Sequence, residues 1–168
     1  MGKKSTKENK NIYQITREQK ELTREQASEL MGFVSADKIE KIENEKVNPQ
    51  AYDILAMSRA YKAPHLCNYY CTHECDIGIE YVPEIEPKDL EKIILELIAT
   101  LNTINKEKDR IIEIASDGQI TEDEFRDFNR INQHLMKVSL SVDSLRFWIE
   151  RTIANGYIDE KVFNSYKD

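Results

Sequence analysis

The chain has 168 residues, 40% of them hydrophobic and 33% charged, with a formal net charge of -7. That suffices for one ordinary domain or two small ones. It is too acidic for a protein whose only task is to coat nucleic acid, because phosphate binding is driven by Lys and Arg displacing counterions. Gly 5 and Pro 4 argue against an all-β or loop-rich fold, and no apolar run approaches the ~20 residues that span a bilayer.

The charge is unevenly spread. Residues 1–66 carry 12 Lys/Arg against 10 Asp/Glu, whereas residues 67–168 carry 12 against 21. If DNA is a partner, the first third of the chain must touch it. The amino terminus, Met1-Gly2-Lys3-Lys4, lacks the apolar core of a signal peptide, so a cytoplasmic location is expected. Three cysteines, an odd number, fit reduced thiols or a metal site better than a disulfide framework.

In chain order, residues 1–10 hold Lys3, Lys4, Lys7 and Lys10 without an apolar anchor, which reads as a disordered basic tail; a basic arm entering a DNA groove is the alternative. Residues 11–75 read as five short helices. The first ends near Glu21. Thr23 and Gln26 form a capping box for the second, which stops near Gly32. Ser35 caps a third, with Ile39 and Ile42 at helical spacing. Asn48-Pro49 opens a fourth, with Ile54, Leu55 and Tyr61 expected inward. Ala63-Pro64 starts a fifth that carries the cysteines.

Residues 76–87, interrupted by Gly78, Pro83 and Pro87, read as a linker in which Ile77, Ile79 and Tyr81 alternate as in a short extended segment. Beyond Pro87 two heptad seams follow. One runs through Leu90, Ile94, Leu97, Leu101, Ile104, Lys108 and Ile111. The other runs through Phe128, Ile131, Leu135, Val138, Val142, Leu145 and Ile149. Asp117-Gly118 separates them, and Thr121 with Glu124 makes a second capping box. Helices of roughly 28 and 34 residues would reach about 40–50 Å, and a short third helix is expected over 159–166. One hairpin cannot bury both seams together with Met136, Leu140, Phe147 and Trp148. A homodimer that joins two hairpins (residues 88–168) into a four-helix bundle would cover the surplus. The expected fold is therefore all-α.

Residues 12–66 resemble the lambda-repressor-like (XRE/Cro-type) helix-turn-helix family. The resemblance rests on Arg17, Leu22-Thr23-Arg24-Glu25-Gln26, Gly32, Val34-Ser35, Ile39, Ile42-Glu43, Lys46 and Asn48-Pro49, and covers about a third of the chain. It implies double-stranded DNA as partner and a third helix whose amino-terminal end enters the major groove. Ser35, Ala36, Asp37, Lys38 and Lys41 would face the bases, while Arg24, Lys46 and Asn48 would contact phosphates. It also implies an Arg17–Glu43 ion pair that holds the first helix to the third. The chain departs from the pattern in three ways. Gly32 to Glu43 is one residue longer than usual, Glu21 and Glu45 stand where Gly is common, and Asp37 and Glu40 bring negative charge to the reading face.

Cys67, Cys71 and Cys75 recur every fourth residue and, with His65 or His73, could offer soft ligands for zinc or an iron–sulfur cluster. Three thiolates in line on one unbroken helix cannot surround a tetrahedral ion, so packing thiols are the simpler reading. The residues from Asp117 to Phe125 resemble half of a calcium loop, but the positions that should start it fall on Glu113 and Ala115, and Ala offers no ligand. His134 stands beside the seam residue Leu135. No enzyme signature is present: no phosphate loop, no paired metal-binding histidines, no nucleophile elbow. The expected function is a dimeric, sequence-specific transcriptional regulator. The alternatives are a protein-interaction adaptor on the same scaffold and a redox or metal sensor that uses the cysteines.

Overall fold

The structure, a computed structural model, describes residues 9–166, and every regular element among them is a helix. Two compact units emerge: residues up to 84 together with 150 onward, and residues 85–149. Lys3, Lys4 and Lys7, the core of the expected tail, lie outside the described residues. Lys10 is tied to Glu18 at 2.7 Å. No described helix is long and apolar enough to cross a membrane.

The first unit opens with α1 (Ile12–Gln19), α2 (Arg24–Met31), α3 (Ala36–Glu43), α4 (Ala51–Ala60), α5 (His65–His73) and α6 (Asp76–Tyr81). Polar side chains start these helices by satisfying amide donors that have no partner within the helix. Asn11 Oδ1 accepts from Gln14 N at 3.0 Å. Thr23 and Gln26 exchange both bonds of a capping box, at 3.2 and 2.9 Å. Ser35 Oγ accepts from Lys38 N at 3.2 Å.

Three of these helices end on left-handed residues that are not glycine: Glu21 (φ 57), Glu45 (φ 57) and Lys62 (φ 51). Each sits inside a Schellman-type closure, with the next amide returning to the helix: Leu22 N to Arg17 O, Lys46 N to Lys41 O and Ala63 N to Ser58 O. The core these ends enclose holds Tyr13, Met31, Val34, Ile39, Ile42, Ile54, Met57, Tyr61 and Leu66.

Three local expectations are corrected. Helix α4 begins at Ala51 with Gln50 as N-cap, two residues after Pro49; Asp53 fixes that start by accepting from Gln50 N at 2.9 Å. Leu55 is exposed and Met57 is buried in its stead. The stretch read as a linker with extended character is helical over α6. Ile79 N donates to Cys75 O and Val82 N to Gly78 O, and Gly78 is buried hard against the Cys71 backbone. Without a side chain at Gly78, α6 can lie on α5. Ile77, Ile79 and Tyr81 all point to solvent.

The second unit contains α7 (Leu90–Lys106), α8 (Lys108–Ala115) and most of α9 (Phe125–Ala154). A continuous first helix was expected; instead it breaks at Glu107 (φ -97, ψ 2). Glu107 spends its carboxylate on α9, bonding Arg130 at 2.8 Å and His134 at 3.1 Å. Arg110 adds a bond to Asp127 at 2.8 Å. Of the seam residues only Ile131 is fully buried, while Ile93, Ile114 and Phe147 are buried outside the seams. Most of the other seam residues are half-buried, whereas Leu101, Lys108, Phe128, Leu135 and Val142 are exposed, so the heptads follow the buried side only in part. Thr121 and Glu124 form half a capping box: Glu124 Oε2 accepts from Thr121 N at 3.0 Å, and Thr121 Oγ1 donates to the same carboxylate. The short α10 (Glu160–Asn164), capped by Asp159, groups with the first unit.

Candidate nucleic-acid interface

Helices α2 and α3 are joined by a turn that leaves α2 through Gly32 (φ 77) and enters α3 through the Ser35 cap. The inner side of α3 is fixed by Ile39, Ile42 and Glu43, each at most 1% exposed. Glu43 is a carboxylate with no access to water, and it is neutralised by two guanidiniums. Arg17 binds it with both forks, Nε at 2.6 Å and a terminal nitrogen at 3.0 Å. Arg24 Nε adds a bond at 2.9 Å. Burial works against the Arg17 charge, but its hydrogen bonds and attraction to Glu43 prevail and lift it above its ordinary value. One carboxylate thereby joins α1, α2 and α3. Asn11 adds a tie, its amide donating to Ile42 O at 2.9 Å.

The outer side of α3 is open. Ser35, Asp37, Glu40 and Lys41 are exposed and Ala36 is half-buried. Lys46 and Asn48, in the loop that follows, are exposed as well. Of the charged candidates, Arg24 and Lys41 are already engaged. Arg24 reaches Glu40 at 3.6 Å besides Glu43, and Lys41 bonds Asp37 at 2.7 Å. Lys46 forms no ion pair among the described residues.

Lys38 is placed differently from the expectation that it reads bases. Its ammonium bonds Asp53 at 2.7 Å and the Tyr52 hydroxyl at 3.1 Å, and lies 4.7 Å from the Tyr52 ring centre. The Asp53 bond holds it above its ordinary value despite partial burial. Since Asp53 is itself 0% exposed and caps α4, Lys38 is a strut between α3 and α4. Sequence reasoning missed Asp53 and Tyr52. The signal available was Asp53 three residues after Gln50, where a carboxylate suits a helix start.

Phe33 was also passed over. It is 66% exposed, lies in the α2–α3 turn, and meets Tyr52 with ring centres 6.1 Å apart.

The remaining candidates lie elsewhere. Cys67, Cys71 and Cys75 are free and half-buried; the first two lie on α5 and the third precedes α6. Burial and then the neighbouring thiols push the Cys71 thiol up, which disfavours the reactive thiolate. His73 stacks on Tyr69 at 4.3 Å, and His65 Nε2 meets Thr16 Oγ1 at 3.3 Å. Among the described residues no group of three His, Cys, Asp or Glu side chains is arranged to hold a metal ion. A cleft of about 290 Å³ opens between the α3–α4 loop and the end of α5, lined by Tyr13, Glu45, Asn48 and Glu74 among others. Comparison with family models, curated proteins and solved structures finds no match to this chain.

Proposed function

We propose that the chain is a sequence-specific DNA-binding transcriptional regulator that works as a homodimer. The observation that carries this reading is the pose of α3. Its inner side is anchored by Ile39, Ile42 and Glu43, and its outer side is free of cover at Ser35, Asp37 and Lys41. A helix anchored in that way can enter a major groove, about 12 Å wide. In this reading Arg24 at the start of α2 and Lys46 and Asn48 after α3 supply the flanking phosphate contacts, and Arg17–Glu43 sets the pose without touching DNA.

The homodimer is supported by apolar surface on the second unit. Leu95, Ile98 and Leu101 on α7, and Leu135, Met136 and Leu140 on α9, are exposed. A second copy is the simplest cover. Two modules would then meet half-sites about 34 Å apart.

Titration of the full chain against pooled genomic fragments at two salt concentrations tests the reading. A small set of fragments enriched over bulk DNA, bound less tightly at higher salt, supports it. Absence of enrichment at either salt sinks it. One observation favours the adaptor as the second reading: Arg24, Lys38 and Lys41 are each paired with a carboxylate. Phosphate contact would have to compete with those partners, whereas a protein surface need not.

A further inference from the structure

We propose that Phe33, braced by Tyr52, reads the methyl group of a thymine at the edge of each half-site. The inference rests on the DNA-binding reading above and gives it a base preference. Its starting point is the outward-facing residue of the turn. Gly32 closes α2, and Val34 turns inward to a fully buried position, 1% exposed. The residue between them is therefore thrown outward, and it is a phenylalanine two positions before the cap of α3.

A single exposed aromatic ring is ordinary on a protein surface; what sets Phe33 apart is its support. This one is held in place. Phe33 rests on Tyr52, whose hydroxyl and ring are gripped by Lys38, which is pinned to buried Asp53. Because the support is already ordered, binding through Phe33 immobilises few new torsions.

The chemistry of the tip selects the ligand group. Phe33 offers neither donor nor acceptor, so it cannot serve a phosphate or a polar base edge. Ser35, which follows in the chain, is polar and exposed, and Ala36 after it is apolar and half-buried. Among the groups on the major-groove edges of the four base pairs, the thymine C5 methyl is the apolar one, and Phe and Ala are suited to it.

The test uses the full chain and the fragment most enriched from the genomic pool. Each thymine is replaced in turn by deoxyuridine, which removes the methyl and nothing else, and affinity is read by fluorescence anisotropy. At one thymine per half-site the wild type should lose about fivefold or more, while F33A, already weakened, should lose nothing further at that thymine. F33A is expected to keep the wild-type melting curve, because the side chain is mostly in water. The inference is overturned if no thymine methyl matters to the wild type, or if its removal weakens F33A equally. Either result leaves the regulator reading intact. If no fragment is enriched at all, both fall together.

Discussion

Arg17→Ala is the sharpest test of how the first unit is assembled. The substitution removes both forks from Glu43, which has no access to water, and a bond from Arg17 to Leu22 O at 2.6 Å. Stranding one member of a buried pair costs about 3–5 kcal/mol. Here Arg24 stays bound to Glu43 at 2.9 Å and is only about one-quarter exposed, which offsets part of the loss. The expected destabilisation is therefore at the lower end, about 3 kcal/mol. With about 4–8 °C per kcal/mol for a unit of this size, the melting temperature should fall by roughly 12–24 °C. Because the chain has two units, a single unfolding curve is ambiguous. Hydrogen exchange of the α1 and α3 amides should accompany urea unfolding followed by circular dichroism. Arg17→Met combined with Glu43→Leu should regain most of the loss, since an apolar pair needs no charge partner. A loss below about 1 kcal/mol for Arg17→Ala would refute the reasoning, because a buried carboxylate cannot lose its bidentate partner so cheaply. The ratio of specific to bulk DNA affinity should be unchanged at a temperature where the variant is folded.

Four further outcomes are expected. Gly78→Ala should collide with the Cys71 carbonyl oxygen and destabilise the α5–α6 junction by about 2 kcal/mol; faster labelling of the three thiols by a disulfide reagent is the readout. Glu21→Gly should raise stability by about 0.5–1 kcal/mol, the relief of about 1–2 kcal/mol of left-handed strain less the entropy glycine loses on folding; thermal melts check it. Burial and then Lys20 hold His65 below its ordinary value of 6.5, so the unfolded chain takes up its proton first. The first unit should hold its full His65 contribution above pH 6.5 and lose it as the pH falls towards the depressed folded value, and His65→Gln should flatten that slope in urea titrations. Leu101→Glu with Leu140→Glu should turn a dimer into a monomer in sedimentation equilibrium of the full chain, and a wild type that sediments as a monomer removes the basis for the homodimer.

Much of the first unit was legible because its signals are local. A cap such as Thr23 or Ser35 acts over three residues, and the spacing of Ile39 and Ile42 states which side of α3 goes inward. What escaped depends on partners distant in sequence. Lys38 reads as a surface cation until Asp53, fifteen residues on, is seen beneath it. The helix over residues 76–81 escaped because Gly78 reads as a breaker, whereas in the fold it is the concession that lets α6 approach Cys71. The helix break escaped for a similar reason: Glu107 trades continuity for bonds to Arg130 and His134, and periodicity carries no record of that exchange.

The two-guanidinium anchorage of Glu43 has a consequence for how such a protein changes its preferences over generations. On the proposed DNA-binding reading, the tilt of α3 is set from beneath by Arg17 and Glu43, which touch no ligand, so Ala36, Asp37 and Lys41 can be exchanged without disturbing the frame that holds them. Lys38 has less freedom, since its replacement would strip the buried Asp53 of its ammonium partner. If this surface reads DNA as proposed, its recognition is free to drift at a few positions around one constrained one, and laboratory selection for new targets should show the same uneven pattern of accepted changes.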